Sequence, residues 1–326
     1  MPEYMPVRKH HSLLEICRTP DIAAEVTITA AERLGVDAAI IFADLLLPFT
    51  PMGLDFEFVN GEGPVVHQPI RTLEQIAALR TDRTEDLRYV AQAIEKVAKH
   101  FSVPRANSAR GIGDQDQLGI IGFIGAPFTL ASYMIEGASS RNYIETKKLM
   151  YADAKAWPLL MDKLVTVLVE YAQQQVEAGA DVIQIFDSWA GALSVPDYRQ
   201  YCLAPTTELV RRVQSLGVPV IYFGVDTASL LPTMRETGAD VLGLDWRIPL
   251  DEAWSTLNYR VAIQGNLDPI TLFAPQEVIH ARTKEILAAA AGRPGHIFNL
   301  GHGIVPGTPV ENVIQLVKWV KEYTHP

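Results

Sequence analysis

The chain has 326 residues, with 28 Lys or Arg against 38 Asp or Glu, so its formal net charge is −10. Hydrophobic residues make up 48% and charged residues 20%, which is typical of a folded globular chain. The acidic balance argues against nonspecific nucleic-acid binding. No apolar run approaches the ~20 residues that span a bilayer, and the first residues lack the apolar core of a signal peptide. We therefore expect a cytoplasmic protein that contacts neither nucleic acid nor membrane.

The two cysteines, Cys17 and Cys202, are too few for a disulfide framework or a four-thiolate metal site. This cysteine content favours a reduced, cytosolic setting. The histidines show no ligand spacing, since His10 and His11 are adjacent near the start of the chain and His302 stands apart. The sequence therefore predicts no metal site.

In chain order, the first predicted strand follows Gly35 and ends near Asp44. Residues 54–66, with Asn60-Gly61 at their centre, are typical of a hairpin, which we interpret as an insertion at the rim of the fold. Thr84 can cap a helix with apolar residues at helical spacing, and a strand is predicted over 119–124. Pro158 suits the first turn of a helix that runs to residue 178.

The pattern that closes the first helix recurs later in the chain. A helix-like stretch ends at glycine, two residues follow, and an apolar run begins; this happens at Gly35, Gly179, Gly217 and Gly238. Glycine can take the left-handed conformation that ends a helix, and the short loop then leads into a strand. The runs are apolar on successive residues, as expected for parallel strands covered on both faces. Further runs lie at 261–264 and 296–300.

This alternation predicts seven buried parallel strands, whose centres lie near Ile40, Ile121, Ile183, Ile221, Leu242, Ala262 and Phe298. A (β/α)₈ barrel needs eight strands. An open doubly wound sheet would usually carry a glycine loop after its first strand, and Phe42-Ala43-Asp44-Leu45 has none. We therefore predict one α/β domain over residues 1–326, which is either an open sheet of seven strands or a (β/α)₈ barrel whose first strand lies upstream of Met1.

Catalytic groups of a parallel barrel come from the carboxyl ends of its strands. Polar side chains follow nearly every predicted strand: Asp44, Thr129, Asp187, Ser188, Asp226, Asp245, Asn266, Asp268 and His302. Each of them has an alternative, purely structural interpretation, in which the side chain only caps the following helix. Asp44 is the stronger candidate, because a carboxylate among Ile41, Phe42 and Leu45 is costly to bury without donors. His302 and Tyr133 are equally compatible with structural roles.

Four separated motifs together resemble the uroporphyrinogen decarboxylase family. They are FADLLLPFTPMG at 42–53, GFIGAPFTLASYMIEG at 122–137, IFDSWAG at 185–191 and FNLGHGIVPGTP at 298–309, and ICRTPDIAAEVT at 16–27 belongs to the resemblance as well. The resemblance implies a distorted (β/α)₈ barrel, usually a homodimer. It implies a carboxy-lyase that removes CO₂ from the four acetate groups of uroporphyrinogen III without a metal or organic cofactor.

The resemblance also assigns roles to residues of this chain. The aspartate that accepts hydrogen bonds from the pyrrole N–H groups falls on Asp44, the one residue that we expect to be catalytic. The other expected contacts of the substrate are Arg8, Tyr133, Ser188 and His302, with Phe123 and Phe186 as apolar neighbours of the macrocycle.

The beginning of the chain departs from the family pattern. Members start with a strand and an arginine-rich loop that binds the substrate's carboxylates, whereas this chain starts at Met1-Pro2-Glu3-Tyr4. We expect the strand and loop to be encoded upstream. Two alternatives stay open: a porphyrinogen-binding protein that is inactive without the arginine loop, and a related corrinoid or thiol methyltransferase, which would need zinc ligands such as His and Cys.

Overall fold

The main sheet consists of seven parallel strands. The computed structural model of the chain describes residues 1–59, 61, 63–102, 118–152 and 154–324. The strands of the sheet are β1 (Ala38–Ile40), β4 (Gly119–Gly125), β5 (Val182–Asp187), β6 (Val220–Gly224), β7 (Val241–Gly243), β8 (Ala262–Gln264) and β9 (His296–Ile297). They lie side by side in the order of the sequence, and all are parallel to their neighbours. The seven predicted strands are thus confirmed.

A short hairpin precedes the second strand of this sheet. Strands β2 (Phe56–Val59) and β3 (Gly63–Val66) pair antiparallel, with Phe56 opposite Val66. Asn60, which the sequence places in the turn, lies outside the described residues. The hairpin is held to the body of the protein by the Val66 N–H, which donates to the Gly137 carbonyl at 2.6 Å.

Helices connect the strands. The helices before β4 are α1 (Tyr4–His10), α2 (Leu13–Arg18), α3 (Pro20–Leu34), α4 (Phe49–Met52), α5 (Leu73–Ala78) and α6 (Arg88–Ser102). Those between β4 and β6 are α7 (Pro127–Glu136), α8 (Ile144–Ala152), α9 (Ala156–Glu177), α10 (Val195–Tyr201) and α11 (Leu203–Gln214). The remaining ones are α12 (Leu231–Arg235), α13 (Leu250–Thr256), α14 (Gln276–Ala290) and α15 (Val310–Thr324). Turns of 3₁₀-helix lie at Thr84–Leu87, Ala190–Ala192, Ala228–Leu230 and Pro269–Phe273.

The glycine that ends α3 shows how the chain turns from helix to strand. Gly35 has φ 68°, in the left-handed region, and its N–H donates to the Ala31 carbonyl at 2.9 Å. A side chain would be strained there, and the turn delivers the chain into β1 three residues later. Positive φ values recur at Gly179, Gly217 and Gly238, as the sequence pattern predicts.

The sheet is strongly curved. The side-chain amide of Gln264 on β8 donates to Gln184 on β5 at 3.4 Å, although two strands lie between them. In a flat sheet strands three places apart are separated by ~14 Å, because neighbours lie ~4.8 Å apart. The two side chains therefore meet inside the curve. This curvature confirms the barrel-type architecture and makes the carboxyl ends of the strands converge.

The core fills both the inside of the curve and the layer between strands and helices. Helix α9 packs on β4 and α11, and α3 packs on α6 and β1. The largest fully buried side chains include Trp254, Tyr171, Tyr198, Tyr222 and Phe49. A smaller cluster of Leu267, Leu272, Ile279, Val313 and Leu316 joins α14 and α15. None of the helices in the described ranges is both long and apolar enough to cross a membrane.

Two details differ from the sequence prediction. Thr84 does not cap an α-helix; it begins a 3₁₀ turn, and its hydroxyl donates to Glu170 on α9, so a tertiary partner replaces the local one. Regular strand structure in β9 ends at Ile297, one residue before the predicted centre, Phe298. Beyond it the backbone pairing continues irregularly, with the Gly301 N–H donating to Leu267 at 2.7 Å.

Candidate active site at the carboxyl ends of the strands

Asp44 lies in the loop that follows β1, at the carboxyl rim of the sheet. It is half-buried, and one of its oxygens accepts the Leu46 N–H at 2.8 Å. Burial raises the pKa of Asp44 from 3.8 to about 6, while the Leu46 hydrogen bond acts in the opposite direction. Within the described residues Asp44 has no ion-pair partner. Its carboxylate therefore has acceptor capacity left for an incoming donor.

Tyr133 on α7 is the predicted site residue that lies close to Asp44. Burial raises the pKa of Tyr133 to about 12, and the charge of Asp44 raises it further. The hydroxyl consequently keeps its proton at neutral pH and is available as a donor. The ring packs on Trp189, with centroids 3.7 Å apart and planes tilted by 33°. Tyr143 packs against the same Trp189 ring at 5.2 Å.

Asp187, the last residue of β5, points away from this site into the layer beneath the helices. It is 0% exposed and accepts two short hydrogen bonds, from the Thr129 hydroxyl and the Tyr222 hydroxyl, each at 2.6 Å. The Tyr222 hydroxyl is 2.7 Å from that of Tyr198. Burial raises the pKa of Asp187, and the two hydroxyl donors lower it. Its place at the strand end therefore reflects a structural network.

This network positions the turn that carries Ser188. Thr129 donates to Asp187 and also accepts the Trp189 N–H at 3.2 Å, so α7 and the turn after β5 are joined through one hydroxyl. Ser188 is partly exposed and lies between the two anchored residues. Since Trp189 supports the ring of Tyr133, the Asp187 network acts on the site through packing.

A row of aromatic rings runs along the inside of the curve. Phe123 on β4 meets Phe186 on β5 at 5.5 Å, and Phe186 meets Phe223 on β6 at 5.7 Å, both edge to face. Phe223 lies 6.5 Å from the ring of His302, in the loop after β9, and Trp246 lies 6.4 Å from the same ring. His302 is exposed and thus ends this apolar wall with a polar group.

Arg8 lies on α1, on the Asp44 side of the rim. Its guanidinium donates to the His11 carbonyl at 2.8 Å, and the side chain is otherwise exposed. Tyr4, one turn earlier, packs on Phe42 with ring centroids 5.6 Å apart. Phe42 precedes Asp44 by two residues, so α1 is attached to the loop that carries the aspartate.

The structure groups the predicted residues in two sets. Tyr133 lies near Asp44, and Ser188 is next to the Trp189 on which Tyr133 packs. Phe123, Phe186 and His302 belong to the aromatic row. Arg8 is connected to Asp44 only through Tyr4 and Phe42, since within the described residues the two side chains form neither a hydrogen bond nor an ion pair.

Sequence reasoning missed several residues of this rim: Trp189, Phe223, Trp246 and Arg247. A signal was present for three of them. Trp246 and Arg247 directly follow Asp245 at the end of an apolar run, the position where a barrel presents functional groups. Trp189 likewise follows Asp187 and Ser188 after an apolar run, whereas the contacts of Phe223 join elements distant in sequence and left no local pattern.

Metal ligation is poorly supported by the donors that the structure describes. Within those residues no group of three His, Cys, Asp or Glu side chains is placed to hold an ion. Both cysteines are buried and unpaired, and burial raises the pKa of the Cys17 thiol to about 12. Thiolates are the form that binds metal, so this thiol is a weak ligand.

Comparisons with known proteins agree on one family. The family model described as "Uroporphyrinogen decarboxylase (URO-D)" matches residues 1–323. A protein of Koribacter versatilis named uroporphyrinogen decarboxylase is 62% identical over 325 residues, covering 99% of this chain and 89% of its own length. The protein of the same name from Solibacter usitatus is 49% identical over 323 residues, covering 99% and 90%.

Solved structures share the fold. A methyltransferase from Methanosarcina mazei superposes with a TM-score of 0.79 at 23% identity, covering 95% of this chain and 87% of that one. A B12-independent methionine synthase from Shewanella gives a TM-score of 0.59 at 11% identity, covering 93% and 88%. At these identities the likeness concerns the barrel-type fold alone.

Proposed function

The chain belongs to the uroporphyrinogen decarboxylase family, and on that premise we propose that it removes CO₂ from the four acetate side chains of uroporphyrinogen III. The product is coproporphyrinogen III, an intermediate of porphyrin synthesis towards haem and chlorophyll. Each cycle breaks the bond between the acetate methylene and its carboxylate, releases CO₂, and adds a proton to the methylene carbon to leave a methyl group.

The observation that carries this proposal is the state of Asp44. It is a half-buried carboxylate with a pKa raised to about 6, free acceptor capacity and Tyr133 close by. At neutral pH it is mainly ionised, so it can accept hydrogen bonds from pyrrole N–H groups, which are donors only. When the N–H groups of the macrocycle all point towards its centre, one carboxylate placed there can accept hydrogen bonds from them.

Asp44 would also favour the reaction step. Electrons left by the departing CO₂ need a sink, and a pyrrole ring protonated at carbon provides one while carrying positive charge. A fixed anion next to that ring stabilises the cation, and the effect is large where water is excluded. The aromatic row of Phe123, Phe186 and Phe223 supplies an apolar wall that excludes water from this part of the site. Because the ring itself is the sink, the proposed reaction uses no metal or organic cofactor.

The other site residues have proposed binding roles. Arg8, Ser188 and His302 are exposed or partly exposed at the rim, where each can donate a hydrogen bond to an acetate or propionate carboxylate. Tyr133 is a neutral donor between Asp44 and Trp189. Phe123 and Phe186 would pack on the face of the macrocycle.

The direct test is an anaerobic assay of the purified chain with uroporphyrinogen III, in which the products are oxidised to porphyrins and separated by carboxylate number. We expect coproporphyrin together with the partly decarboxylated intermediates. Asp44→Asn should reduce turnover at least ~100-fold, by analogy with the loss of one preorganised electrostatic group. Asp162→Asn, at an exposed position on α9, is the matched control and should leave turnover unchanged.

Two outcomes would contradict the proposal. If the protein binds uroporphyrinogen tightly but forms no product, the inactive binding protein is favoured. Full turnover by Asp44→Asn would show that Asp44 does not have the central role. A methyltransferase activity is not favoured, because the likeness to the Methanosarcina enzyme concerns the fold and the Cys17 thiol is held protonated.

We also propose that the protein is a cytoplasmic homodimer of single-domain protomers. The two free, buried cysteines suit a reducing compartment. Ile270, Phe273 and Ile304 are exposed apolar side chains that a second copy could cover. Light scattering on the eluted protein should give twice the chain mass of 36.0 kDa, and a mass of one chain would contradict the dimer.

A further inference from the structure

The loop after β7 places an arginine at the rim that the sequence reasoning did not assign. Asp245, Trp246 and Arg247 follow the strand Val241–Gly243, so they lie at the same end of the sheet as Asp44 and His302. Loops at this end converge because the sheet is curved. Arg247 is therefore a cation at the mouth of the candidate site.

Arg247 is held in one orientation by a buried partner. The side chain of Asp245 is 2% exposed and accepts the Asp226 N–H at 2.7 Å, the Arg247 N–H at 3.1 Å and a short ion-pair hydrogen bond from Nη1 of Arg247. The guanidinium carbon lies 4.2 Å from the centroid of the Trp246 ring. A guanidinium fixed by one carboxylate and one aromatic face loses little freedom when it binds a ligand.

The same loop contacts the loop that carries His302. The Trp246 ring lies 6.4 Å from the His302 ring. Gly301 fits directly against Asp245 and Trp246, where an added Cβ would come within 2.6 Å of the Trp246 nitrogen. Arg247, Trp246 and His302 thus form one continuous surface that extends the aromatic row outward.

Part of the Arg247 guanidinium faces solvent. Its side chain is 42% exposed, and in the described part of the chain Nε and Nη2 donate no hydrogen bond. These atoms are the two-donor edge that binds carboxylates side by side. On a protein of net charge −10, a substrate with eight carboxylates needs local cations to approach.

We propose that Arg247, together with His302, forms a carboxylate-binding subsite of the rim that holds an acetate or propionate group of the porphyrinogen. This inference rests on the proposed function, since it concerns the substrate of that same site. Asp245 is the positioning residue, which fixes the guanidinium without contacting substrate. Arg8 lies on the Asp44 side and Arg247 on the His302 side, so the two arginines would hold different carboxylates.

Steady-state kinetics of Arg247→Gln test the subsite. We expect KM for uroporphyrinogen III to rise ~10- to 100-fold, the range for losing a hydrogen bond between charged groups, with a much smaller change in kcat. Arg247→Lys keeps the positive charge but loses the planar two-donor edge, and should recover only part of the affinity. Arg260→Gln removes an equal charge at the other end of β8, where the side chain is exposed, and should leave KM unchanged.

A second measurement needs no variant and covers the case in which Arg247→Gln does not fold. In the wild-type chain, phenylglyoxal should label Arg247 more slowly when uroporphyrinogen III is present, whereas labelling of Arg260 should not change; mass spectrometry reads both sites. Unchanged KM in a folded Arg247→Gln protein, or unprotected Arg247, would overturn the subsite. If the wild-type chain forms no coproporphyrinogen, the proposed function fails, and the labelling experiment still decides the subsite separately.

Discussion

Asp44 is proposed to be needed for turnover, but burying its ionised carboxylate lowers the free energy of unfolding. Burial raises its pKa from 3.8 to about 6, so the folded protein binds a proton at this carboxyl more strongly than the unfolded chain does. The contribution of Asp44 to the free energy of unfolding therefore falls as pH rises from about 4 through 6. Asparagine has no such titration and can still accept the Leu46 N–H.

The size of this effect follows from the pKa values. One pKa unit corresponds to about 1.4 kcal/mol, so keeping Asp44 ionised at pH 8 costs the folded state about 3 kcal/mol. At pH 5 the same linkage costs the folded state about half as much, because most of the folded molecules are then protonated at Asp44. We expect Asp44→Asn to be more stable than the wild type by nearly these amounts, although its turnover is reduced at least ~100-fold.

Urea unfolding followed by circular dichroism at pH 5 and pH 8 measures both differences. The comparison between variant and wild type cancels every other titrating group that the substitution does not touch. Asp162→Asn, at an exposed position on α9, provides the control for replacing an aspartate by asparagine. A gain for Asp44→Asn that is absent at pH 8, or larger at pH 5 than at pH 8, would refute the burial argument for Asp44.

Two further predictions concern the support of the site. Tyr133→Phe removes the hydroxyl near Asp44 but keeps the ring on Trp189. We expect kcat to fall about fivefold, with an unchanged unfolding midpoint, because one neutral hydrogen bond is worth about 1 kcal/mol. Equal kcat in the two proteins would exclude a role for the hydroxyl. Thr129→Val removes a donor to the buried Asp187 and an acceptor of the Trp189 N–H; we expect a loss of about 1–3 kcal/mol in unfolding free energy and reduced turnover. The comparison is Thr283→Val, where an equally buried hydroxyl bonds within its own helix, and equal losses in both variants would contradict the network.

The order of strands could be predicted from the sequence because its signals are local. Gly35 and the three related glycines end helices through their own conformation, and the apolar runs after them need both faces covered. The direction in which Asp187 points could not be predicted. Phe186 and Asp187 are adjacent and face opposite sides of the sheet. Because this strand is apolar on successive residues, its pattern does not indicate which residues face the inside of the curve and which face the helices.

Tertiary contacts account for the other differences. Thr84 has an ideal capping residue type, yet the Glu170 carboxylate competes for its hydroxyl. The family resemblance placed Tyr133 and Ser188 at one site. The contact that brings them together is the Trp189 ring, next to Ser188, which packs on Tyr133 more than fifty residues earlier in the chain. Such pairs become visible only when the fold is known.

The order of the strands in the sheet has a consequence for biosynthesis. In the main sheet each strand pairs with the strand that comes before it in the sequence. The strands therefore leave the ribosome in the same order in which they lie side by side. The sheet can therefore grow during translation without rearranging pairs already formed. Asp44 and Tyr133 emerge early, whereas His302 and its loop arrive after all the other strands. A nascent chain would thus contain the central carboxylate long before the rim opposite it, and stalled or prematurely terminated products would carry a nearly complete sheet with an unfinished site.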